Sequence, residues 1–114
     1  MGPDAQVKLK IAIKGARNPK DETNPSQPVM PSCVVGKVLE PDNYFALLNK
    51  YPKSTSVRFN CPRFNLTFDA IIHHTVPRLK GLIALHTDRL LPEYFVEYVN
   101  NHRLEVEAEV QVVG

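Results

Sequence analysis

Cysteine is scarce in this 114-residue chain, and the two present, Cys33 and Cys61, form no C-x-x-C pair. A single disulfide is possible but not needed by a core of this size, and a structural zinc site is a poor expectation. The two are read as free thiols in a reducing compartment. No run of 18 apolar residues and no signal-peptide core occurs, so neither a membrane-spanning helix nor a secretory leader is expected. Gly15, Gly36 and Gly81 stand isolated, so no glycine-rich phosphate loop exists. Ser54, Thr55 and Ser56 lack the surroundings of a nucleophile elbow. No catalytic signature appears anywhere, and an enzyme is not expected. Neither a cofactor nor a small-molecule substrate is implied.

Net charge is also small, +2, too little by itself to indicate a nucleic-acid partner. Its distribution is uneven. Residues 1–80 carry twelve Lys and Arg against six Asp and Glu, and residues 81–114 carry two against six. Either the two ends lie on neighbouring strands and neutralise each other, or the basic part serves an acidic partner.

What is present is period-two alternation. Leu104–Val113 (LEVEAEVQVV) sets Leu104, Val106, Ala108, Val110 and Val112 on one face and Glu105, Glu107, Glu109 and Gln111 on the other. That is a half-buried strand with a wet, acidic face. Val7–Ile13 alternates in the same way, with Lys8 and Lys10 outward. So does Phe64–Ile72, with Phe64, Leu66, Phe68, Ala70 and Ile72 inward. Cys33–Leu39, Lys53–Phe59 and Leu82–His86 read as further strands, with a bulge at Gly36. Pro41–Lys50 reads either as a helix, on the spacing of Tyr44, Leu47 and Leu48, or as a strand. Pro92 opens a short helix, with Thr87 or Asp88 as its cap. Gly15–Pro31 holds Pro19, Pro25, Pro28 and Pro31 and reads as a long loop. No internal repeat is visible.

Six or seven short strands with proline-rich turns predict an all-β fold, an antiparallel β-sandwich with one or two short helices. Residues 1–6 read as a flexible start or expression remnant and 7–113 as a single domain.

The chemistry-bearing residues are few. His73 and His74 are adjacent, so on a strand they face opposite ways. His86 and His102 bracket the helix. Three or four converging ligands are not in sight, so no metal is expected. Glu105, Glu107 and Glu109 are roughly 7 Å apart along one face, but an open strand face supplies no pKa tuning. Salt bridges to Lys8 and Lys10 explain them better. Tyr44, Phe45, Phe59, Phe64, Phe68, Tyr94, Phe95 and Tyr98 are read mostly as core. Arg58, Arg63, Arg78 and Lys80 form a candidate basic interaction patch, and the three glutamates a candidate acidic face.

Val7–Arg17 (VKLKIAIKGAR), then Pro62–Phe68 (PRFNLTF), then Leu91–Val99 (LPEYFVEYV) ahead of Leu104–Glu107 (LEVE), together resemble a C2 domain. The resemblance is to the variant C2 segments of kinesin tails and of ciliary or centriolar scaffold proteins. It implies the C2 β-sandwich. Calcium-binding members place about five aspartates in two apical loops; Asp21, Glu22, Asp69 and Asp88 are too few, so a calcium-independent module is implied. The function expected on this resemblance is non-catalytic docking within a larger cytoskeletal or ciliary scaffold or motor, in the cytoplasm, cytoskeleton or cilium. The partner would be another protein or a second copy of the chain. The alternatives are an anionic membrane surface, or nucleic acid bound by a β-barrel.

Overall fold

The computed structural model describes residues 8–19, 31–50, 54–73 and 81–113. Six strands and two helices follow one another as β1 (Lys8–Arg17), β2 (Ser32–Val38), α1 (Pro41–Lys50), β3 (Ser54–Cys61), β4 (Leu66–His73), β5 (Leu82–Thr87), α2 (Glu93–Asn101) and β6 (Glu107–Val112). The strands pair antiparallel in the ring β1-β2-β5-β4-β3-β6, and β6 returns to β1. This closed barrel corrects the expected C2-like β-sandwich. A sandwich needs two sheets with free edges; here β6 pairs with both β1 and β3, and β2 with both β1 and β5. Alternation cannot tell the two apart, because each gives every strand one inward and one outward face.

The inward faces follow the alternation. Leu9, Ile11 and Ile13 of β1 are fully buried, as are Val57 and Phe59 of β3 and Ile72 of β4. Phe59 stacks on Phe68 at 4.5 Å between centroids. β1 continues past Ile13 to Arg17 through a register shift between Ile13 and Gly15. The bulge therefore lies on β1, not at Gly36 of the facing strand. Gly36 points inward, where a Cβ would come within 2.8 Å of the Ile11 side chain. Any larger residue there displaces the core.

Each open end of the barrel is crossed by a helix. α1 carries the chain from the end of β2 to the start of β3, resolving the ambiguous 41–50 stretch, and buries Tyr44. α2 crosses the opposite end, from β5 to β6. Pro92 stands at its N-cap with no side-chain cap, and the Phe95 and Val96 amides donate to the Pro92 carbonyl at 3.1 Å. Thr87, expected to cap this helix, instead accepts from the Arg89 amide at 3.3 Å, ahead of the helix. Phe95 and Val99, one turn apart, enter the core. Phe95 meets Phe59 edge-on at 6.2 Å and Phe64 at 5.4 Å.

Two side-chain amides fasten α2 to β1. The Asn100 amide donates to the Ala16 carbonyl at 2.9 Å and accepts from the Ala16 amide at 3.0 Å. In reverse, Asn18 accepts from the Leu91 amide at 2.7 Å and donates to the Leu91 carbonyl at 2.8 Å. Each amide imitates a strand neighbour, satisfying a donor and an acceptor on the end of β1 that outruns β6 and on the approach to α2.

The order strand–strand–helix–strand occurs twice, as β1-β2-α1-β3 and β4-β5-α2-β6. Exchanging the halves maps the ring onto itself, with β2 and β5 adjacent at the centre. The symmetry lies in the topology alone, since the side chains of the two halves do not repeat.

Removing the α2 plug tests this account. Phe95→Ala is expected to cost about 3–5 kcal/mol, as for large core aromatics, a large share of the roughly 5–15 kcal/mol of an ordinary domain. Asn100→Ala is expected to cost about 1–3 kcal/mol by stranding two backbone groups of Ala16. Urea denaturation of both variants measures this.

Candidate docking face

A six-stranded barrel with a filled interior has only its outer wall and its two ends to offer a partner. Register lets the wall be read in rows. On one side, Lys8 (β1), Gln111 (β6), Arg58 (β3) and Asp69 (β4) form one row; Lys10, Glu109, Asn60 and Thr67 form the next. Every member is polar. Lys8, Arg58, Asn60, Thr67, Glu109 and Gln111 line a shallow hollow of about 300 Å³. The first and last strands are thus neighbours, and Lys10 faces Glu109 as the charge distribution suggested.

The other side is different. Cys33 pairs with His86, Val35 with Ala84 and Lys37 with Leu82. Val34, Ile83 and Leu85, which alternate with them, fill the core, so these three pairs point outward. Ile71 of β4 extends the first row beyond His86 and is 41% exposed. Toward β1, Gly15 lies opposite Val35, and Ala12 opposite Lys37. Cys33, Val35, Ala84, Leu82 and Ile71 therefore make an apolar outer wall. Cys33 is buried, while Val35, Ala84 and Leu82 are half-buried. An antiparallel strand with one wet face alternates; a strand apolar on both faces reads as an unbroken hydrophobic run. CVV, at 33–35, and LIAL, at 82–85, are such runs. Their two-faced character was the available signal for this wall, and reading them only as strands missed it.

The candidate residues fall elsewhere. Arg58 sits on the polar wall, its Nε 3.2 Å from Asp69 Oδ1. Arg63 lies in the 3-10 turn Pro62–Phe64 beyond β3, with its guanidinium 4.7 Å above the Tyr98 ring and donating to the Tyr98 hydroxyl. The two are held by different partners on different surfaces. Arg78 and Lys80 lie outside the described residues. Glu107 and Glu109 belong to β6; Glu105 precedes it. Strand β6 starts later than the alternation suggested because Leu104 adopts a left-handed conformation, φ 67°, and donates its amide to the Ile13 carbonyl at 2.8 Å. Leu104 is 46% exposed rather than core. Phe64 likewise stands in the turn, half-buried against Phe95, Tyr94 and Tyr98. Phe45 and Tyr94, read as core, are 59% and 60% exposed.

A groove of about 720 Å³ opens where β4 and β5 part, and it gathers Ser56, His86, Asp88 and Arg89. Ser56 and His86 flank Ile71, each paired with it from a neighbouring strand. Two strand spacings, about 9.5 Å, separate them, too far for a base to reach a hydroxyl. Arg89 spans the parting by donating to the Thr67 carbonyl at 3.1 Å. No group of three His, Cys, Asp or Glu side chains placed to hold a metal occurs among the described residues, and no described helix is long and apolar enough to cross a membrane. His74 lies outside the described residues; His102 stacks on Tyr98 at 3.9 Å.

No known protein family, curated protein or solved structure matches the chain.

Cys33 and Cys61 are free and buried. Burial pushes both thiols above their ordinary value of 9.0; Arg17 opposes this at Cys33, and the backbone amides of Phe64 and Arg63, with the Arg63 charge, oppose it at Cys61. Folding thus favours the protonated thiols. Their contribution is complete below pH 9.0 and is lost as pH rises through the higher folded-state values. Wild-type stability is expected to fall more steeply above pH 9.0 than that of Cys33→Ala/Cys61→Ala, measured by denaturant titration at stepped pH.

Proposed function

We propose that this protein is a non-catalytic docking module that binds another protein through the outer wall of β2 and β5. The observation supporting this reading is the run of outward apolar side chains, half-buried Val35, Ala84 and Leu82 and exposed Ile71, on one side of a barrel whose other side is polar row by row. An apolar patch left in water is a cost that a docking protein recovers when its partner covers it. Side chains held on paired strands β2 and β5 also form a stiff surface, which loses little freedom on binding. The buried free thiols fit a reducing compartment and hence an intracellular location. The cytoskeletal or ciliary parentage came with the C2 resemblance, and the closed ring lends it no support.

Outward substitutions separate docking from folding. Val35→Glu and Ala84→Glu are expected to keep the circular dichroism spectrum and to melt within a few degrees of wild type. They are expected to lose the protein that immobilised wild-type chain retains from lysate, whereas Asn60→Glu on the polar wall keeps it. Retention by all three variants contradicts the proposal. Maleimide labelling provides the second measurement: Val35→Cys should react readily in the isolated chain, where Cys33 and Cys61 react slowly. A shielded Val35→Cys would mean that the chain covers its own wall, and would also overturn the reading.

A further inference from the structure

The barrel is divided by charge as well as by polarity. Strands β1, β2 and β5 carry Lys8, Lys10, Lys14, Arg17 and Lys37 and no acidic residue. Strands β3, β4 and β6 carry Arg58 against Asp69, Glu107 and Glu109. Arg17 lies beside Cys33 and Lys37 beside Leu82, so exposed cations stand at both ends of the apolar rows, with Lys14 on the bulge between them. From this arrangement we infer that the partner is an acidic segment of another protein that carries apolar side chains among its carboxylates. The inference rests on the docking reading of the same wall.

The other occupants fit less well. In a second copy docked wall to wall by a two-fold axis, the end cations Arg17 and Lys37 would be set against the same two cations of the copy, and like charges brought together oppose association. A second copy docked by its acidic side would set polar rows of Glu107, Glu109 and Asp69 against apolar ones and leave both poorly paired. A membrane surface is entered by projecting Trp, Phe or Leu side chains; here Val35 and Ala84 are short, Leu82 is half-buried, and Ile71 alone is exposed. A single nucleic-acid strand needs aromatic faces on which bases stack, and none of the outward residues in these rows is aromatic apart from the His86 ring. An acidic amphipathic protein segment satisfies the cations at the rim and the apolar rows between them.

The test is a fluorescence anisotropy titration of the full chain with four labelled probes: a leucine–glutamate peptide, its leucine–lysine counterpart, vesicles of phosphatidylcholine and phosphatidylserine, and a single-stranded oligonucleotide. The acidic peptide is expected to bind in preference to the others and to weaken about tenfold or more when salt shortens the reach of the charges. Arg17→Glu/Lys37→Glu is expected to lose about tenfold and to gain affinity for the lysine peptide; Arg103→Glu, beyond α2, is expected to change nothing. Binding lost in Val35→Glu but kept in Arg17→Glu/Lys37→Glu would overturn the acidic partner and leave the docking wall standing. Binding indifferent to both variants would overturn the two together. Preference for vesicles or for the oligonucleotide would replace the protein partner with that ligand. A melting curve on each variant keeps a folding defect from being mistaken for any of these.

Discussion

The double pairing of β6 is the constraint on which the rest of the structure depends. This strand hydrogen-bonds to β1 along one side and to β3 along the other. Without it, both would be edges, each presenting a row of bare backbone groups to any passing strand. With it, the ring has no edge, and the inward alternation of all six strands converges on one core. Closure also sets the shape of the two ends. α2 fills one mouth with Phe95 and Val99, and α1 sends Tyr44 into the core from the other end. The amide pairs Asn100–Ala16 and Asn18–Leu91 then hold that end of the chain in place where the pairing of β1 with β6 has ended.

Much of this was legible in residue order. The inward faces of β1, β4 and β6 follow from the alternation, and the adjacency of the first and last strands follows from Lys8 and Lys10 set against Glu107 and Glu109. Ring closure was not legible, because alternation records which way a side chain points and carries nothing about what a strand pairs with. The failures at Phe64 and Leu104 share a cause. Each continues a period of two by one residue into a segment that has left the strand. Phe64 does so in a 3-10 turn that ends at a left-handed Asn65, and Leu104 in a left-handed position of its own. A hydrophobic residue extends the pattern whether or not the backbone still obeys it.

The candidate surface shows the same limit from the other side. Arg58, Arg63, Arg78 and Lys80 cluster in sequence, but Arg58 and Arg63 are committed to Asp69 and Tyr98. The apolar wall gathers residues that are far apart in the chain and meet only because β2 and β5 pair at the centre of the two-fold topology. At that junction the two halves of the fold contribute equivalent strands, and both carry apolar side chains outside as well as inside, Val35 on β2 and Leu82 and Ala84 on β5, beside the outward Lys37 and His86. Composition did register the charge asymmetry between the two parts of the chain. Folding turns it from a contrast along the sequence into a contrast around the barrel.

The same antiparallel pairing of β1 and β6 determines how the barrel would respond to being pulled. Lys8, at the start of β1, lies opposite Gln111, near the end of β6. The outer ends of both strands therefore emerge at one mouth of the barrel. Tension applied there would load the hydrogen bonds of the seam one after another, like a zip. Two strands leaving at opposite ends would instead share the load across all their bonds at once. A ring that hides every edge from its neighbours can thus be opened bond by bond from one mouth, along the strand that closes it.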